Sequence, residues 1–311
     1  MNRTQFNKSV VPGLFSFARD SYAPQSGEGE VWRRIVEACG SVKNSKRTYE
    51  ESAYIAGLGT IPGKPEGEPI AYDDFVQGPT KRWIHRTFGL GIRITEEMIE
   101  DSLYPDIPTD MESFSRELGM SARETITLLV FDIFNSGTGT TTHTGADGLA
   151  IFSGSHTSLR GGTWSNLLSP AADLSATTLQ TAIDNFENTR DDTGKFQMVK
   201  AQYILVNPSN AWKAKELLNS GYDPESANNA VNPLKERNLQ LLVSPYYTDT
   251  DAFTLLAKPA ISNGGLIAYL RRKVTFARDG DFNTGDALFK VTFRFSVEVS
   301  KANNLYHSAG A

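Results

Sequence analysis

Apolar and polar residues alternate without a break from Phe289 to Ser300. Phe289, Val291, Phe293, Phe295, Val297 and Val299 fall on one face, and Lys290, Thr292, Arg294, Ser296, Glu298 and Ser300 on the other. This period of two predicts a half-buried antiparallel strand. Its apolar face should cover a long helix, and its charged face should meet solvent or another copy. That helix is predicted over 109–136, where Phe114, Leu118, Ala122, Ile126, Leu129 and Ile133 recur every three or four residues. Thr109 to Glu112 spell a capping box, Gly119 is the one interior glycine, and Gly137 ends the run. At about 1.5 Å per residue the helix would be on the order of 40 Å long, a scaffold rod.

Before the helix the pattern is different. Residues 1–49 show little periodicity beyond a short helix at Val31 to Cys39, yet Phe6, Phe15, Phe17 and Tyr22 sit in this loop-like arm. Aromatic residues on a segment that cannot fold alone must pack on something, the same chain or a neighbour. Residues 52–97 read as a long β-hairpin. Its tip, GLGTIPGKPEGEP, holds three prolines and four glycines, which forbid helix and favour turns. The returning strand alternates Ile84, Arg86, Phe88, Leu90, Ile92 and Ile94 against Trp83, His85, Thr87, Gly89, Gly91 and Arg93. A two-stranded ribbon is marginal in water, so this one needs a surface to lie on.

After a turn-rich stretch over 137–170, helix and strand alternate. A helix is predicted from Leu174 to Asp191 with Leu179, Ile183 and Phe186 on one face, and a second from Asn210 to Asn219. Short strands are predicted at Gln202–Val206, Leu239–Val243 and Ala252–Ala257. This block, about 173–262, could form a compact subdomain. Leu266 to Ala277 and the alternating run from Phe289 close the chain as two strands.

Apolar residues make up 39% of the chain and charged residues 22%, the balance of a globular protein with a sizeable core. No apolar run reaches the roughly 18 residues a membrane-spanning helix needs. The N-terminus lacks the sustained apolar core and small-residue cleavage site of a secretory signal. Charge is uneven: residues 1–49 hold eight Lys/Arg against four Asp/Glu, and residues 266–311 seven against four. Between them, 50–101 hold five against ten and 102–265 eleven against eighteen. Basic ends and an acidic middle allow complementary contact between copies, or termini facing a polyanion.

Chemistry is hard to find. The catalytic and phosphate-binding signatures H-E-x-x-H, C-x-x-C, G-x-S-x-G and G-x-x-x-x-G-K-[ST] are all missing. The nearest lookalike, GLGTIPGK at Gly57 to Lys64, has the wrong glycine spacing, and Pro65 stands where a hydroxyl is required. Cys39 is the single cysteine and reads as a buried small hydrophobe. His143 and His156 share a turn-rich segment with Asp147, which admits a metal site, though a hydrogen-bonded loop is the plainer reading. The neighbouring carboxylates Asp73/Asp74, Glu96/Glu97 and Asp191/Asp192 read as solvated. The basic runs Arg33-Arg34, Lys46-Arg47 and Arg271-Arg272-Lys273 lack interleaved aromatics, so base-stacking recognition is not expected, while diffuse phosphate contact is allowed.

The order of parts is distinctive: a basic arm, a Gly/Pro-tipped hairpin, one rod helix, an inserted α/β block and return strands. Together with GADGLAIFSGSH followed by GGTWSNLL, with ILVNPSNAWKAKELLNS and with RDGDFNTGDALFKVTFRFSVEV, it resembles the tailed-bacteriophage major capsid proteins of the Hong Kong-97-type fold. The resemblance spans essentially 1–311. It implies an α+β chain divided into an N-terminal arm (1–49), an extended hairpin loop (50–101), a peripheral domain with a spine helix (102–172), an axial domain (173–262) and peripheral return strands (263–311).

The function implied is that of a non-enzymatic subunit that self-assembles through hexamers and pentamers into an icosahedral head around double-stranded DNA. An encapsulin-like nanocompartment shell is the alternative. No catalytic residue, cofactor, metal or membrane partner is implied. Inter-subunit contact is expected at Phe15, Phe17, Lys64, Trp83, Arg86 and Phe88, and non-specific DNA contact on the inner face at Arg3, Lys8 and Arg19. With about fifty residues ahead of the hairpin, a separate scaffolding protein is expected, along with a portal, while the resemblance leaves open whether a decoration protein joins them. Some members cross-link a hairpin Lys to a neighbour's Asn. Lys64 and Asn303 or Asn304 have the right residue types, but no matching motif surrounds them and that chemistry is not carried over.

Overall fold

The computed structural model of the chain describes residues 18–22, 31–97, 107–222, 231–259, 264–281 and 283–311, with the backbone only over 107–112. In chain order the elements are α1 (Val31–Cys39), β1 (Gly40–Asn44), β2 (Tyr49–Ala56), β3 (Val76–Ile84), β4 (Arg86–Ile94) and α2 (Ile107–Asn135). Two short strands follow, β5 (His156–Thr157) and β6 (Thr163–Trp164), then α3 (Ala176–Glu187), β7 (Tyr203–Val206), α4 (Ala211–Asn219), β8 (Gln240–Val243) and β9 (Phe253–Leu256). The chain ends with β10 (Leu266–Gly280), β11 (Ala287–Val299) and β12 (Leu305–Ser308).

The alternating strand is β11, the centre of a four-stranded sheet ordered β1-β10-β11-β4. All six of its inward apolar residues are buried, and they share one core with Leu118, Ala122, Ile126, Val130, Phe131 and Ile133 of α2. Each such burial contributes about 1.5–3 kcal/mol before chain entropy is counted. The amphipathic α1 packs on the same side, its Trp32 meeting Phe295 edge-on with ring centroids 6.0 Å apart. The rod is 29 residues, about 44 Å. It starts at Ile107, two residues before the predicted start, and the predicted capping side chains Thr109 to Glu112 lie outside the described residues. Its interior Gly119 lets the helical stretch 18–22 cross it closely, since a Cβ there would run into the Ala18 carbonyl.

The predicted hairpin forms, with one physical difference. β2 pairs with β3 from Tyr49↔Ile84 to Ala56↔Val76, but past His85 the same strand continues as β4 and joins β11 in the main sheet. Its alternation holds throughout while its surroundings change. The odd residues Trp83 and His85 are buried on the face of the sheet opposite α2, where Tyr269, Ser296 and Glu298 stand. The even residues Phe88, Ile92 and Ile94 pack into the α2 core, whereas Ile84, nearer the hairpin, stays exposed. The polar face of β11 was expected to meet solvent or another copy. Over its C-terminal half the root of the chain's own hairpin covers it instead, with Ser296 9% exposed and Glu298 ion-paired to Lys81.

A second core lies between α3, α4 and a sheet ordered β12-β9-β7-β8. Ser175 caps α3: its hydroxyl accepts from the Thr178 N–H, while the Thr178 hydroxyl accepts from the Ser175 N–H, a reciprocal box. Leu179, Ile183 and Phe186 face inward as their spacing predicts. The fourth strand of this sheet arrives from outside 173–262. β12 pairs with β9 from Leu305↔Leu256 to Ser308↔Phe253, so the C-terminal residues close the sheet's edge.

Candidate assembly surfaces

The hairpin tip is where the chain leaves apolar surface bare. Pro62, Pro65 and Pro69 remove ladder donors and the glycines add no packing, so 57–75 runs without strand pairing. Ile61 is 96% and Tyr72 97% exposed, and Ile55, Leu58, Ile70 and Phe75 are exposed beside them. So many exposed apolar residues on one segment mark an interaction surface. The shaft below it is held. The Arg160 guanidinium bonds the Asp73 carboxylate at 2.8 Å and holds its pKa below the usual range. The Gly59 N–H donates to the same carboxylate at 2.7 Å, and the Lys195 ammonium donates to the Leu58 carbonyl at 2.8 Å. Only the segment between Gly59 and Asp73 therefore projects free of these ties.

The root is fixed more firmly. Trp83 is fully buried, edge-on to Tyr269 at 5.5 Å, and its indole N–H reaches the Glu298 carbonyl. His85 bridges the Ser296 and Ser45 hydroxyls at 2.9 and 3.0 Å. Its pKa is lowered, chiefly by burial, against the pull of the Glu50 carboxylate and with smaller help from the Arg294 and Arg271 charges. Lys81 donates to the Thr144 carbonyl at 2.6 Å and pairs with Glu298 at 3.1 Å. His143 completes the junction, lying 2.9 Å from Asp132 of α2 and 3.5 Å from Glu298. Burial opposes its protonation, but the two carboxylates outweigh burial and raise its pKa. His143 and Lys81 likewise overcome burial at Glu298 and lower its pKa. Hairpin, return strand, loop and rod thus meet in one charge cluster.

The residues predicted for contact are placed unevenly. Lys64 is exposed at the tip. Trp83 is a correction: its own chain covers it completely, so it anchors the hairpin and offers a neighbour no surface. Arg86 is exposed at the rim of a cavity of about 180 Å³, shared with Ile84, Leu129, Asp132 and His143. Phe88 is partly buried and stacks on Phe293 with centroids 5.1 Å apart. Arg19 is exposed on the stretch that crosses the rod, while Phe15, Phe17, Arg3 and Lys8, like Phe6, lie outside the described residues. The structure does not gather these residues into one site. The strongest candidates, Ile61 and Tyr72, were missed. The available signal was isolated apolar residues set among Pro and Gly, where no strand partner can cover them.

The candidate chemistry resolves into packing. His156 bonds Asp147 at 2.7 Å, lies 3.1 Å from the Asn166 side-chain oxygen and stacks on Trp164, so it and His143 serve separate networks. Among the described residues no cluster of three His, Cys, Asp or Glu is arranged to hold a metal. Cys39 is buried with its Sγ–H on the Ile35 carbonyl, and burial pushes the thiol pKa up. Asn304 is 1% exposed and its amide donates to the Cys39 and Ala257 carbonyls, a structural role. Asp192, expected to be solvated, is 4% exposed and pairs with Lys301. No helix among the described residues is long and apolar enough to cross a membrane.

Comparison with known proteins agrees with this geometry. No curated protein matches the chain by sequence. Among solved structures, the capsid of the cyanophage P-SCSP1u superposes with a TM-score of 0.58 at 11% identity, covering 88% of this chain and 86% of that one. The mature capsid of bacteriophage PhiM1 gives 0.55 at 11% identity, covering 88% and 85%. An encapsulin complex from Synechococcus elongatus PCC 7942 gives 0.52 at 10% identity, covering 88% and 86%. At these identities the likeness is one of fold, the Hong Kong-97-type α+β capsid fold. The family model described as phage capsid protein matches residues 82–307, from the hairpin root to the closing strand β12. A shell fold, a bare projecting hairpin and a match over most of the length carry one conclusion: the chain belongs to the phage capsid protein family, as a structural subunit of the head shell.

Proposed function

We propose that this chain builds an icosahedral head through hexamers and pentamers and encloses double-stranded DNA, and that it does so without catalysing a reaction. One observation carries the reading: Ile61 and Tyr72 at the tip are bare in the single chain although Trp83 at the hairpin root beneath them is fully buried. A rigidly rooted arm with an unsatisfied end gains its missing burial from a sister copy. Such head-to-tail contacts close into rings. The division into arm (1–49), hairpin loop (50–101), peripheral domain (102–172 and 263–311) and axial domain (173–262) belongs to this proposal. So do Lys64, Arg86 and Phe88 as contact residues, and a basic arm facing packaged DNA with Arg3, Lys8 and Arg19 touching phosphates without reading sequence. A separate scaffolding protein and a portal, with assembly in the host bacterial cytoplasm, complete it.

Electron microscopy and sedimentation of the purified full chain test the reading. Rings or shells are expected, and a chain that stays monomeric at high concentration, with its tip protected from protease, would overturn it. The likeness to an encapsulin supports a second reading, a cargo compartment. The contents of purified particles, duplex DNA or enzyme, decide between the two.

A further inference from the structure

We propose that the outer face of the first sheet, at Arg272 and Arg294, is the dock for the acidic hairpin tip of a second copy of this chain. The proposal rests on the reading that one copy's hairpin lies on the next, and adds where it lands and by what chemistry.

Arg272 and Arg294 stand directly opposite each other in the β10–β11 ladder. Opposed residues put their side chains on one face roughly 5 Å apart, and like charges there destabilise the pair. The arrangement is built rather than inherited from a regular register, because the ladder shifts on both sides of Arg272, between Leu270 and Arg272 and again between Arg272 and Thr275. Bulges of this kind re-aim a side chain. The Arg294 Nε is buried without a hydrogen-bond partner. Neither guanidinium pairs with a carboxylate among the described residues. Lys290 on the same face and Lys273 beside it are exposed and likewise unpaired there. Glu50, whose charge is felt at the adjoining His85, is held by the Ser45 hydroxyl at 2.7 Å and by Arg47, while Arg271 donates to the Arg47 carbonyl. Two cations thus face each other with no carboxylate paired to either among the described residues.

The tip supplies the complement. Residues 57–75 carry Glu66, Glu68, Asp73 and Asp74 against Lys64 alone. Arg160 takes Asp73, which leaves Glu66 and Glu68 exposed and unpaired among the described residues. A tight turn brings these two together: the Glu68 N–H donates to the Pro65 carbonyl, and Gly67 supplies the positive φ of 83° that the turn needs. Two neighbouring carboxylates match two neighbouring guanidiniums, each of which can take a carboxylate bidentately. A single chain cannot close this contact on itself. The eight residues of β2 set the tip roughly 25 Å from the hairpin root, and Arg160 and Lys195 tie the shaft elsewhere. The flanking Ile61, Ile70 and Tyr72 would then be covered at the same landing site.

The test is a charge swap in the full-length chain, followed by sedimentation velocity across a concentration series. R272E/R294E and E66R/E68R should each weaken self-association about tenfold or more, and the four-residue swap should restore most of it. Wild-type association should also weaken with added salt. Circular dichroism and melting of R272Q/R294Q serve as the folding control. That variant removes the like-charge pair, so it should melt no lower than wild type while associating less well. Normal association of both reversed variants overturns the dock but leaves the capsid reading standing. A wild type that never associates overturns both. Intact association together with lost binding of a duplex oligonucleotide by R272E/R294E would reassign the two arginines to phosphate and overturn the dock.

Discussion

β11 and the β2–β3 hairpin are both strongly patterned strands, and they end in opposite conditions. β11 buries every inward apolar residue against the rod helix, whereas the hairpin buries only Ala56 near its tip and Trp83 at its root. Ile55, Phe75 and Ile84 remain exposed along it. The difference lies in what each strand is laid on. β11 has neighbours on both edges and a helix across one face. The hairpin has one strand pair, which rests on the rest of the chain at its root and at the ties to Arg160 and Lys195 and leaves its remaining apolar residues bare, a geometry that is marginal alone. The same kind of apolar residue therefore stabilises the single chain in one region and awaits another copy in the other.

This contrast can be broken by mutation. Phe295→Ala should have the largest effect on the isolated chain, costing about 3–5 kcal/mol in chemical denaturation because a fully buried ring leaves a cavity. A loss under about 1 kcal/mol would mean that the β11 core is not the seat of stability. Next comes acid. His307 is buried against Phe152 and Thr254, and desolvation lowers its pKa to about 4. Its unfolded form protonates near pH 6.5 and its folded form only near 4, so stability should fall as pH drops through that window, by up to about 3 kcal/mol. His307→Gln should flatten that dependence, measured as denaturation midpoint against pH.

His143 should act with the opposite sign. Its raised pKa adds stability that is fully present below its unfolded pKa and lost as pH climbs through the folded value. Protease cleavage in the hairpin should therefore quicken on the alkaline side, and a rate independent of pH would remove His143 from the junction. The smallest effect on the single chain belongs to the tip. The double change Ile61→Ser and Tyr72→Ser should move the monomer's stability by no more than about 0.5 kcal/mol, because nothing in the chain covers either residue. The same change should suppress assembly seen by electron microscopy. If it unfolded the monomer, the contrast between the two regions would be lost.

The sequence made some of this legible and hid the rest for physical reasons. Periodicity located β11, the rod, α3 and α4 to within a few residues, because each presents one apolar face to a core. It could not show that β1 (Gly40–Asn44) runs parallel to β10, since GSVKN has no alternation. Gly40 is there because a Cβ would collide with the Leu266 carbonyl, which is a property of the partner strand. Nor could it show that Leu305–Ser308 crosses to the second sheet, a pairing about 50 residues away in sequence. Trp83 was misjudged for a related reason. Alternation gives the face a residue points to, never what lies opposite. The assembly surface was half legible: Gly and Pro marked the tip, but only the fold showed which apolar residues it leaves uncovered.

The passage of one strand from hairpin to sheet at His85 has a mechanical consequence. A tug on the tip travels along a single covalent backbone into β4, whose hydrogen bonds to β11 run across the direction of pull from Arg86↔Phe295 to Ile94↔Ala287. Those bonds are loaded together in shear instead of opening one at a time like a zipper. A tether rooted this way resists tension far better than its thin two-stranded shaft would suggest.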